Sequence, residues 1–230
     1  MEVARWEARR AQKPSSLLLR ASPILHLFCS EAVTDESAAP SHSKAGREDY
    51  ACAMETLPVL RPLGPGDAAD VMTGFQADPQ MRRQGDVRDL DSASRYIEFV
   101  TNDDQGNAAF AVDLEGRCIG VIALSGASAH RLGWFFYWMH PDFRGRGITS
   151  RAAATVADWA LTAGGFERLE LGHRANNPAS GRVALAAGFL HEGVDREKLL
   201  IDGERVDALT YGRLRSDPFP LVTPLPLRAP

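Results

Sequence analysis

The spacing of apolar and polar residues from residue 57 onward alternates between the periods of strands and of helices. The short apolar segment 57–63 predicts a strand, and residues 66–75 are predicted to form the helix that follows it. Apolar residues at helical spacing predict a second helix over residues 89–100, with Asp91 or Ser92 as its N-cap. The pattern therefore begins with one strand and two helices.

Apolar segments separated by acidic-glycine turns predict two antiparallel hairpins. Their strands and turns are residues 108–114 and 118–124 around Glu115-Gly116, and residues 190–201 and 205–214 around Asp202-Gly203. A glycine in such a turn adopts the positive φ that short hairpin connections require. Hairpins are therefore expected on both sides of the centre of the sheet.

The middle of the chain has the pattern of a strand, a turn and a helix. Residues 130–139 are rich in β-forming side chains and end before Pro141, which cannot donate to a strand ladder. The apolar face of the helix that follows is formed by Ile148, Ala152, Val156, Trp159 and Ala160. Gly164-Gly165 end that helix, and residues 168–173 form the next strand. The whole order predicts an α/β fold with a mixed sheet.

The turn between that strand and helix, Arg144-Gly145-Arg146-Gly147, has the composition of an anion-binding loop. Glycine lacks a Cβ and tolerates positive φ, so the backbone at Gly145 and Gly147 can bring its N–H groups close to an anion. The helix start adds first-turn donors and the positive end of the helix dipole. Taken alone, such a turn is more often a solvated loop. With a strand before it and a helix after it, a pyrophosphate cradle is the better interpretation.

Composition and charge narrow the classes of function. The 230 residues are 44% hydrophobic and 24% charged, which suits one well-filled core with extensions. A net charge of −4 without a basic block argues against a nucleic-acid partner. Three scattered cysteines, Cys29, Cys52 and Cys118, predict neither a disulfide framework nor a metal site. We therefore expect a cytoplasmic protein without a metal.

The two ends of the chain lack the periodicity of its middle. Residues 1–53 are predicted to be disordered or a mis-annotated extension, with Met54 as the functional start. The apolar stretch 15–29 is interrupted by charge and proline and is shorter than the roughly 20 residues of a membrane span, so no membrane partner is expected. Residues 215–230 carry five prolines and are predicted to be an extended or disordered tail. Residues 54–214 would then form the domain.

A second polar motif follows the strand predicted over residues 168–173. Asn177 precedes Pro178, which is the pattern of an N-cap followed by proline at the first helical position, and Ser180 is spaced to complete that cap. A side chain at a helix start also faces the space between two strand ends. Capping and ligand binding by these residues are therefore compatible.

Both motifs resemble those of one enzyme superfamily. Arg144-x-x-Gly147-x-Thr149 resembles the [Q/R]-x-x-G-x-[G/A] acyl-CoA signature of the GCN5-related N-acetyltransferase (GNAT) superfamily. The second motif, with Gly188-Phe189 and Glu192-Gly193, resembles the N-x-A-S…G-F…E-G block of its RimJ/RimL-like branch. The resemblance covers roughly residues 57–214. It implies a fold in which two central parallel strands splay apart and acyl-CoA enters the gap. Thr149 departs from the small final residue of the signature, and it either crowds the cofactor or adds a hydroxyl donor.

The resemblance also implies roles for the residues of both motifs. The Met139 N–H would polarise the thioester carbonyl, and backbone groups near Met139 and His140 would pair with the pantetheine arm. Backbone N–H groups would hold the pyrophosphate at Arg144, Gly145, Arg146, Gly147, Ile148 and Thr149. Asn177 would hydrogen-bond the pantetheine. Ser180 would hydrogen-bond the departing sulfur, because Ala184 stands where many relatives carry a tyrosine as the acid.

The activity implied is transfer of an acetyl group from acetyl-CoA to a primary amine, either a protein N-terminus or a small molecule, by direct attack. Two other hypotheses stay open: a regulatory protein that binds acyl-CoA without turnover, and a binder of small anions or nucleotides unrelated to CoA. The general base is expected to be His140, His173, Glu170 or ordered water, and the sequence does not decide among them. The length of the acyl group and the formation of a homodimer also stay open. The acceptor pocket is expected from residues 74–100, 126–131 and 197–205. The 3′-phosphate of CoA is expected to contact Arg146, Arg151 or Arg182, unless these side chains are simply exposed to solvent.

Overall fold

The computed structural model describes residues 57–127 and 130–228, so the predictions for residues 1–53 and Met54 lie outside the described part. This part folds into one sheet of seven strands with four α-helices. The strands are β1 (Val59–Pro62), β2 (Ala108–Leu114), β3 (Arg117–Ala127), β4 (Leu132–Met139), β5 (Arg168–Arg174), β6 (Leu190–Ile201) and β7 (Glu204–Leu214). The helices are α1 (Ala68–Gln76), α2 (Leu90–Val100), α3 (Ile148–Thr162) and α4 (Pro178–Ala186). No helix within these residues is both long and apolar enough to cross a membrane.

The sheet is mixed, with the strand order β1-β2-β3-β4-β5-β7-β6. Every neighbouring pair is antiparallel except β4 and β5, which are parallel and are connected through α3. A parallel pair needs such a crossover connection, whereas the hairpins β2–β3 and β6–β7 need only tight turns. The predicted mixed α/β sheet and both predicted hairpins are confirmed.

Helices cover both faces of the sheet, and the central strand β4 is buried between them. Phe135, Tyr137 and Met139 pack on the face that carries α3 and α4. Phe136 and Trp138 alternate with them and pack on the face that carries α1 and α2. A strand buried on both faces reads as a continuous apolar run, which explains the aromatic segment in the sequence.

The start of α2 differs from its prediction. Asp89 is the N-cap: its side chain accepts a hydrogen bond from the Ser92 N–H at 2.8 Å, and the Ser92 hydroxyl accepts from the Asp89 N–H at 3.0 Å. The two residues form a reciprocal capping box. The prediction of Asp91 or Ser92 as the cap was therefore wrong, because Ser92 acts from the third position of the helix.

The proline-rich tail is extended and packs on the domain as far as Arg228. The Leu60 N–H donates to the Pro226 carbonyl and the Arg228 N–H donates to the Leu60 carbonyl, both at 2.8 Å, so the tail lies alongside β1. Leu225 is 3% exposed and belongs to the core around α3. Of the two expectations for this segment, the extended one holds and the disordered one was wrong, because its leucine side chain and backbone groups have partners in the domain.

Candidate functional site

The central parallel strands pair only at one end and then separate. The pairs joining β4 to β5 are Leu132 with Arg168, Gly133 with Leu169 and Trp134 with Glu170. Beyond them β4 continues along β3 as far as Met139, and β5 continues along β7 as far as Arg174. The carboxyl-terminal halves of β4 and β5 therefore border a gap in the middle of the sheet, which confirms the predicted splay.

Met139 presents its backbone to this gap. The His140 N–H donates to the Ile119 carbonyl at 2.9 Å, so residues 119 and 140 form a hydrogen-bonded pair of the β3–β4 ladder. Such pairs alternate along antiparallel strands, so the neighbouring pair of Gly120 and Met139 directs the Met139 N–H and C=O away from β3. The Met139 carbonyl accepts from Nε of Arg144 at 2.9 Å on that side. The N–H of Met139 thus faces the gap between the strands.

His140 uses its own backbone elsewhere. Its N–H is bonded to β3, and its carbonyl accepts from the Phe143 N–H at 3.0 Å. Its side chain caps the 3-10 turn Pro141–Phe143, where Nδ1 accepts from the Asp142 N–H at 3.3 Å. The His140 N–H is therefore not available to a ligand in the gap, whereas its carbonyl oxygen has a second lone pair, so pairing of this residue with a ligand stays a prediction.

The glycine turn after β4 has the backbone shape expected of an anion loop. Gly145 and Gly147 have φ values of 74° and 71°, in the left-handed region that favours glycine. Gly147 is the N-cap of α3 and supplies no capping side chain, and the Arg151 N–H makes an early helical bond, to the Gly147 carbonyl. The helix start therefore presents first-turn amides and its positive dipole end at the exposed loop 145–147.

The side chains around this loop differ in their contacts and burial. Arg144 turns inward, where Nη1 contacts Asp78 at 2.8 Å, and its N–H donates to the Pro141 carbonyl at 3.1 Å. Arg146 lies over the Phe143 ring, 5.6 Å from its centroid. Thr149 is buried at 4% exposure in the first turn of α3. The Arg144 amide is thus engaged within its own turn.

Arg151 and Arg182 differ in their surroundings. Nε of Arg151 donates to the Thr223 carbonyl of the tail at 2.8 Å. Arg182 is exposed on α4. The structure therefore gives Arg151 a role in holding the tail.

The second motif lies at the start of α4, and both of its polar residues are buried. Asn177 is the N-cap: its Oδ1 accepts from the Ser180 N–H at 3.4 Å, and its Nδ2 donates to the Ser180 hydroxyl at 3.2 Å. Asn177 and Ser180 are 1% and 0% exposed. The predicted cap is confirmed, and the same contacts fix the position of the Ser180 hydroxyl.

Tyr137 links the two sides of the gap, a contact that the sequence analysis did not predict. Its hydroxyl donates to the Ser180 carbonyl at 3.0 Å, so β4 is tied to the first turn of α4. Tyr137 lies on the same face of β4 as Met139. Its spacing in the sequence placed it in the core, and no local pattern signals that its hydroxyl reaches across the gap.

His173 is buried and both of its ring nitrogens have partners. Nδ1 lies 2.9 Å from the Arg174 carbonyl and Nε2 lies 3.3 Å from the Tyr211 hydroxyl. Burial lowers the pKa of His173 below its ordinary value despite the opposing carbonyl contact. A Cβ on Gly181 would lie 3.1 Å from Nε2, so this glycine lets α4 approach the ring. His173 is therefore a neutral structural group.

The third candidate for a base is also engaged. Glu170 accepts from Nε of Arg168 at 2.9 Å, at the closed end of the gap where β4 and β5 still pair. Arg168 in turn contacts Glu192 of β6. Among the three predicted candidates, Glu170 and His173 are thus held in place by neighbours.

A charged cluster that the sequence analysis missed lies at the open end of the gap. Arg174 ends β5 and donates through Nη2 to Oε1 of Gln80. Gln80 belongs to the 3-10 turn Pro79–Arg83, and Asp78 immediately before that turn binds Arg144. The turn therefore connects the β4 side of the gap to the β5 side. These contacts join residues far apart in sequence, so periodicity could not reveal them.

The pKa values of Asp78 and Arg174 in this cluster are shifted from their ordinary values. Burial raises the pKa of Asp78, but hydrogen bonds from Arg144 and from the Gln80 N–H outweigh it and hold the pKa below the usual value. Burial and the nearby Arg83 lower the pKa of Arg174. Asp78 is thus a carboxylate at neutral pH, facing buried guanidinium groups.

Taken together, the site can bind a phosphorylated ligand and act on an acyl carbonyl. The glycine turn and the start of α3 suit a pyrophosphate. The inward Met139 N–H suits an oxygen that develops negative charge, and the Ser180 hydroxyl suits a leaving atom. Within residues 57–127 and 130–228 no group of three or more His, Cys, Asp or Glu side chains is arranged to hold a metal ion.

Comparison with known proteins places this chain among acetyltransferases. Residues 59–190 match the family model described as the acetyltransferase (GNAT) domain. The ribosomal-protein-serine acetyltransferase of Escherichia coli (strain K12) is 27% identical over 106 residues, 46% of this chain and 59% of that protein. YdaF of Bacillus subtilis (strain 168), a candidate ribosomal N-acetyltransferase, is 30% identical over 138 residues, 55% of this chain and 73% of that protein.

Solved structures agree with the fold. RimL, the ribosomal L7/L12 α-N-protein acetyltransferase, in complex with coenzyme A matches with a TM-score of 0.62 and 18% identity. The match covers 67% of this chain and 92% of that one. At this identity the likeness shows a shared fold, including the mixed sheet on which the gap depends.

Proposed function

Because the chain belongs to the GNAT family of acetyl-transferring enzymes, we propose that it transfers the acetyl group of acetyl-CoA to a primary amine. The observation that carries the proposal is the gap between β4 and β5, with the Met139 N–H facing it and the glycine turn at its end. The acceptor is a protein N-terminus or a small-molecule amine.

The backbone of the glycine turn and helix start is proposed to hold the pyrophosphate of acetyl-CoA. The amides that serve this purpose belong to Gly145, Arg146, Gly147, Ile148 and Thr149, while the amide of Arg144 stays within its own turn. Backbone N–H groups at a helix start bind phosphate oxygens without a metal. The exposure of residues 145–147 lets the ligand reach them from solvent.

The pantetheine arm would then lie along the inner edges of β4 and α4. Asn177 is buried at the start of α4, beside the gap, and is proposed to hydrogen-bond an amide of the arm. The Met139 N–H is proposed to bind the thioester oxygen, because a preorganised donor stabilises the charge that this oxygen gains on attack. Both groups are fixed by the fold before substrate arrives, so little reorganisation is required.

The reaction is a direct acyl transfer. The neutral amine nitrogen attacks the thioester carbon, a C–N bond forms, and the C–S bond breaks to release the thiolate of CoA. The nitrogen loses one proton and the thiolate gains one, so no net proton is consumed when a neutral amine reacts to give an amide and a thiol. The Ser180 hydroxyl is proposed to hydrogen-bond the sulfur, since Ala184 provides no hydroxyl one turn further on.

The proton of the amine is proposed to leave through ordered water rather than through a dedicated base. Glu170 is paired with Arg168, and the ring nitrogens of His173 contact the Arg174 carbonyl and the Tyr211 hydroxyl. His140 lies at the end of β4 with Nδ1 directed at Asp142. The amount of neutral amine would then limit the rate, and kcat/KM should rise with pH toward the pKa of the acceptor amine.

Thiol release from acetyl-CoA in the presence of an amine panel tests this function. The panel should contain peptides with free serine N-termini, chosen because the E. coli relative is a ribosomal-protein-serine acetyltransferase, together with small amines. The same peptides with blocked N-termini are the control. We expect amine-dependent thiol release with formation of the N-acetyl product.

Two results would decide against the proposal. Saturable binding of acetyl-CoA without thiol release for any amine would favour a regulatory protein that binds acyl-CoA without turnover. Failure of the folded protein to bind either acetyl-CoA or CoA would favour an unrelated anion binder.

A further inference from the structure

Arg174 is a buried cation at the open end of the β4–β5 gap. It is 8% exposed, and Nη2 donates to Gln80 while Nε has no acceptor among residues 57–127 and 130–228. The neighbouring Arg144 side chain is 9% exposed, and its Nη2 likewise has no acceptor among those residues. A buried guanidinium N–H without an acceptor is costly, so both donors favour an incoming hydrogen-bond acceptor.

The charges in this cluster are unbalanced in favour of an anion. Three cations, Arg83, Arg144 and Arg174, face two carboxylates, Asp78 and Asp202. Asp78 is committed to Arg144 at 2.8 Å and also accepts from the Gln80 N–H at 2.8 Å. Asp202 is committed to Arg83 at 2.8 Å. Arg83 and Arg144 are thus each paired with a carboxylate, whereas Arg174 donates to the neutral amide of Gln80.

The cluster lies on the opposite face of the sheet from the glycine turn's helix. Along β5, His173 points toward α4 and Tyr211, so Arg174 points to the face that carries α1 and α2. Residues 80, 83 and 202 fall in two of the segments expected to build the acceptor pocket. The Arg83–Asp202 contact joins those two segments, and the charges of both residues act on Arg174. The cluster is thus placed on the acceptor side of the gap.

We propose that Arg174, with Arg144 and Arg83, binds a carboxylate of the acceptor, so that the preferred substrate is an amine carrying a carboxylate nearby. This inference rests on the proposed acetyl transfer for its consequence, but the anion site itself is independent of turnover. A guanidinium offers two parallel N–H donors that match the two oxygens of a carboxylate. The acceptor is therefore an amino acid or an acidic peptide rather than a polyamine.

The Arg83–Asp202 pair provides the route of entry. Asp202 is 75% exposed and Arg83 is 22% exposed, so the pair lies near the surface, where such ion pairs contribute little to stability. An incoming carboxylate can replace that of Asp202 beside Arg83 and extend to Arg174. Asp202 thus acts as a carboxylate that the substrate exchanges with.

The same cations would help the amine to react. An ammonium group beside an excess of guanidinium charge loses its proton more readily, because a like charge disfavours the charged form. The substrate's carboxylate would anchor it while the remaining positive charge favours the neutral amine. Easier loss of the amine proton supplies part of the activation that a carboxylate base would otherwise provide. The strand β4 has no such carboxylate beside the gap.

Calorimetric titration of the CoA-saturated full chain with succinate and with succinamide tests the anion site without requiring turnover. The two probes have similar size and differ in charge. We expect saturable binding of succinate, with succinamide on the order of tenfold weaker or worse. Arg174→Gln should weaken succinate by a similar factor, whereas Arg95→Gln, on the exposed surface of α2, should leave it unchanged.

Asp202→Asn keeps the test valid if Arg174→Gln does not fold. Asp202 has a φ of 50°, a conformation that asparagine tolerates, and its removal releases Arg83. Succinate should then bind more tightly, because Arg83 no longer has the competing carboxylate of Asp202. Equal binding of the two probes, no succinate binding, or unchanged binding by Asp202→Asn would overturn the inference.

Turnover separates this inference from the proposed function. Two tripeptide amides that differ by Glu or Gln at the second position should differ in kcat/KM, with the Glu peptide faster. Transfer to both at equal rates would contradict the inference and leave the acetyltransferase intact. Succinate binding without transfer to any amine would contradict the proposed function alone.

Discussion

Ser180 is the residue that is proposed to stabilise the leaving thiolate. Its hydroxyl oxygen accepts a hydrogen bond from Nδ2 of Asn177, which leaves the hydroxyl proton for donation. Ala184, one turn further along α4, is 0% exposed and offers no second donor. A serine hydroxyl is a weak acid, so we expect Ser180 to stabilise a departing thiolate by a hydrogen bond rather than by full proton transfer.

Ser180→Ala should lower kcat by about tenfold and leave the Kd for acetyl-CoA nearly unchanged. The expected loss is below the roughly 10²–10⁴-fold of full general acid catalysis, because a hydrogen bond donor is removed rather than a proton carrier. Steady-state thiol release and calorimetry measure the two quantities. Ser94→Ala, at a half-buried serine of α2, is the matched control. An unaltered kcat in Ser180→Ala would remove Ser180 from the mechanism.

His173 should make stability depend on pH in a defined window. Burial lowers its pKa in the folded protein, whereas in the unfolded chain the pKa is about 6.5. Below about pH 6.5 the unfolded state takes up a proton that the folded state resists, so the free energy of unfolding falls as the pH decreases toward 5. Urea denaturation at several pH values between 7.5 and 5 measures this slope.

The carboxylates Asp67, Asp78 and Asp89 act in a lower range. The pKa of each lies below its ordinary value, so their contribution to stability is lost only when the pH falls below about 4. His173→Gln should therefore flatten the slope between pH 6.5 and 5. The exposed His130→Gln should keep it, and a slope retained in His173→Gln would show that another group is responsible.

At the scale of elements, the C-terminal tail functions as part of the domain. It extends the sheet beside β1 through Leu60, and it contacts α3 through Arg151 and Thr155. Because α3 begins at the glycine turn, the tail supports the helix whose start is proposed to bind pyrophosphate. Removing the tail should therefore affect the stability of the site as well as the edge of the sheet.

Leu225→Ala should lower the free energy of unfolding by about 2 kcal/mol, the lower end for a buried leucine, because the tail can relax around the cavity. Leu225 is 3% exposed, whereas Leu221 in the same tail is fully exposed. Leu221→Ala is thus the matched control and should change stability by less than about 0.5 kcal/mol. Chemical denaturation of both variants checks this, and equal stabilities would mean that the tail does not pack in solution.

Local patterns predicted the elements well because their causes are local. The aromatic run of β4, the acidic-glycine hairpin turns and the Asn177-Pro178 helix start each depend on neighbouring residues. The capping box of α2 and the docking of Leu225 were missed. At the start of α2, Asp89, Asp91 and Ser92 are all residue types that cap helices, so the sequence alone did not identify the N-cap. The core residues that Leu225 contacts lie far from the tail in sequence.

At the scale of the whole molecule, the gap in the sheet lies between two faces that carry different groups of polar residues. The face with α3 and α4 carries the glycine turn and the buried Asn177–Ser180 pair. The opposite face carries the cluster around Arg174 and the turn that joins Asp78 to Gln80. Under the proposed function, acetyl-CoA and the acceptor amine would therefore approach the gap from different faces, as direct transfer in a ternary complex requires.

The polar contacts on the face that carries α1 and α2 could not have been predicted from the sequence. Arg144 and Asp78 are separated by 66 residues, and Arg174 and Gln80 by 94. Each is an ordinary charged or polar residue in its local context, and only the convergence of the strand ends brings them together. The motifs of the first face were visible because a glycine turn and a helix cap leave a local signature.

Calorimetric titration of the full chain with acetyl-CoA shows directly whether the gap and its glycine turn form an acyl-CoA site. Gly147→Glu is the test variant and Gly116→Glu the control. Both glycines have positive φ, and no atom lies within 4 Å of an added Cβ, but only Gly147 borders the proposed pyrophosphate site. The wild type and Gly116→Glu should bind saturably, and Gly147→Glu should not. Absence of binding by the folded wild type, or unimpaired binding by Gly147→Glu, would show that the glycine turn does not bind the pyrophosphate of acetyl-CoA.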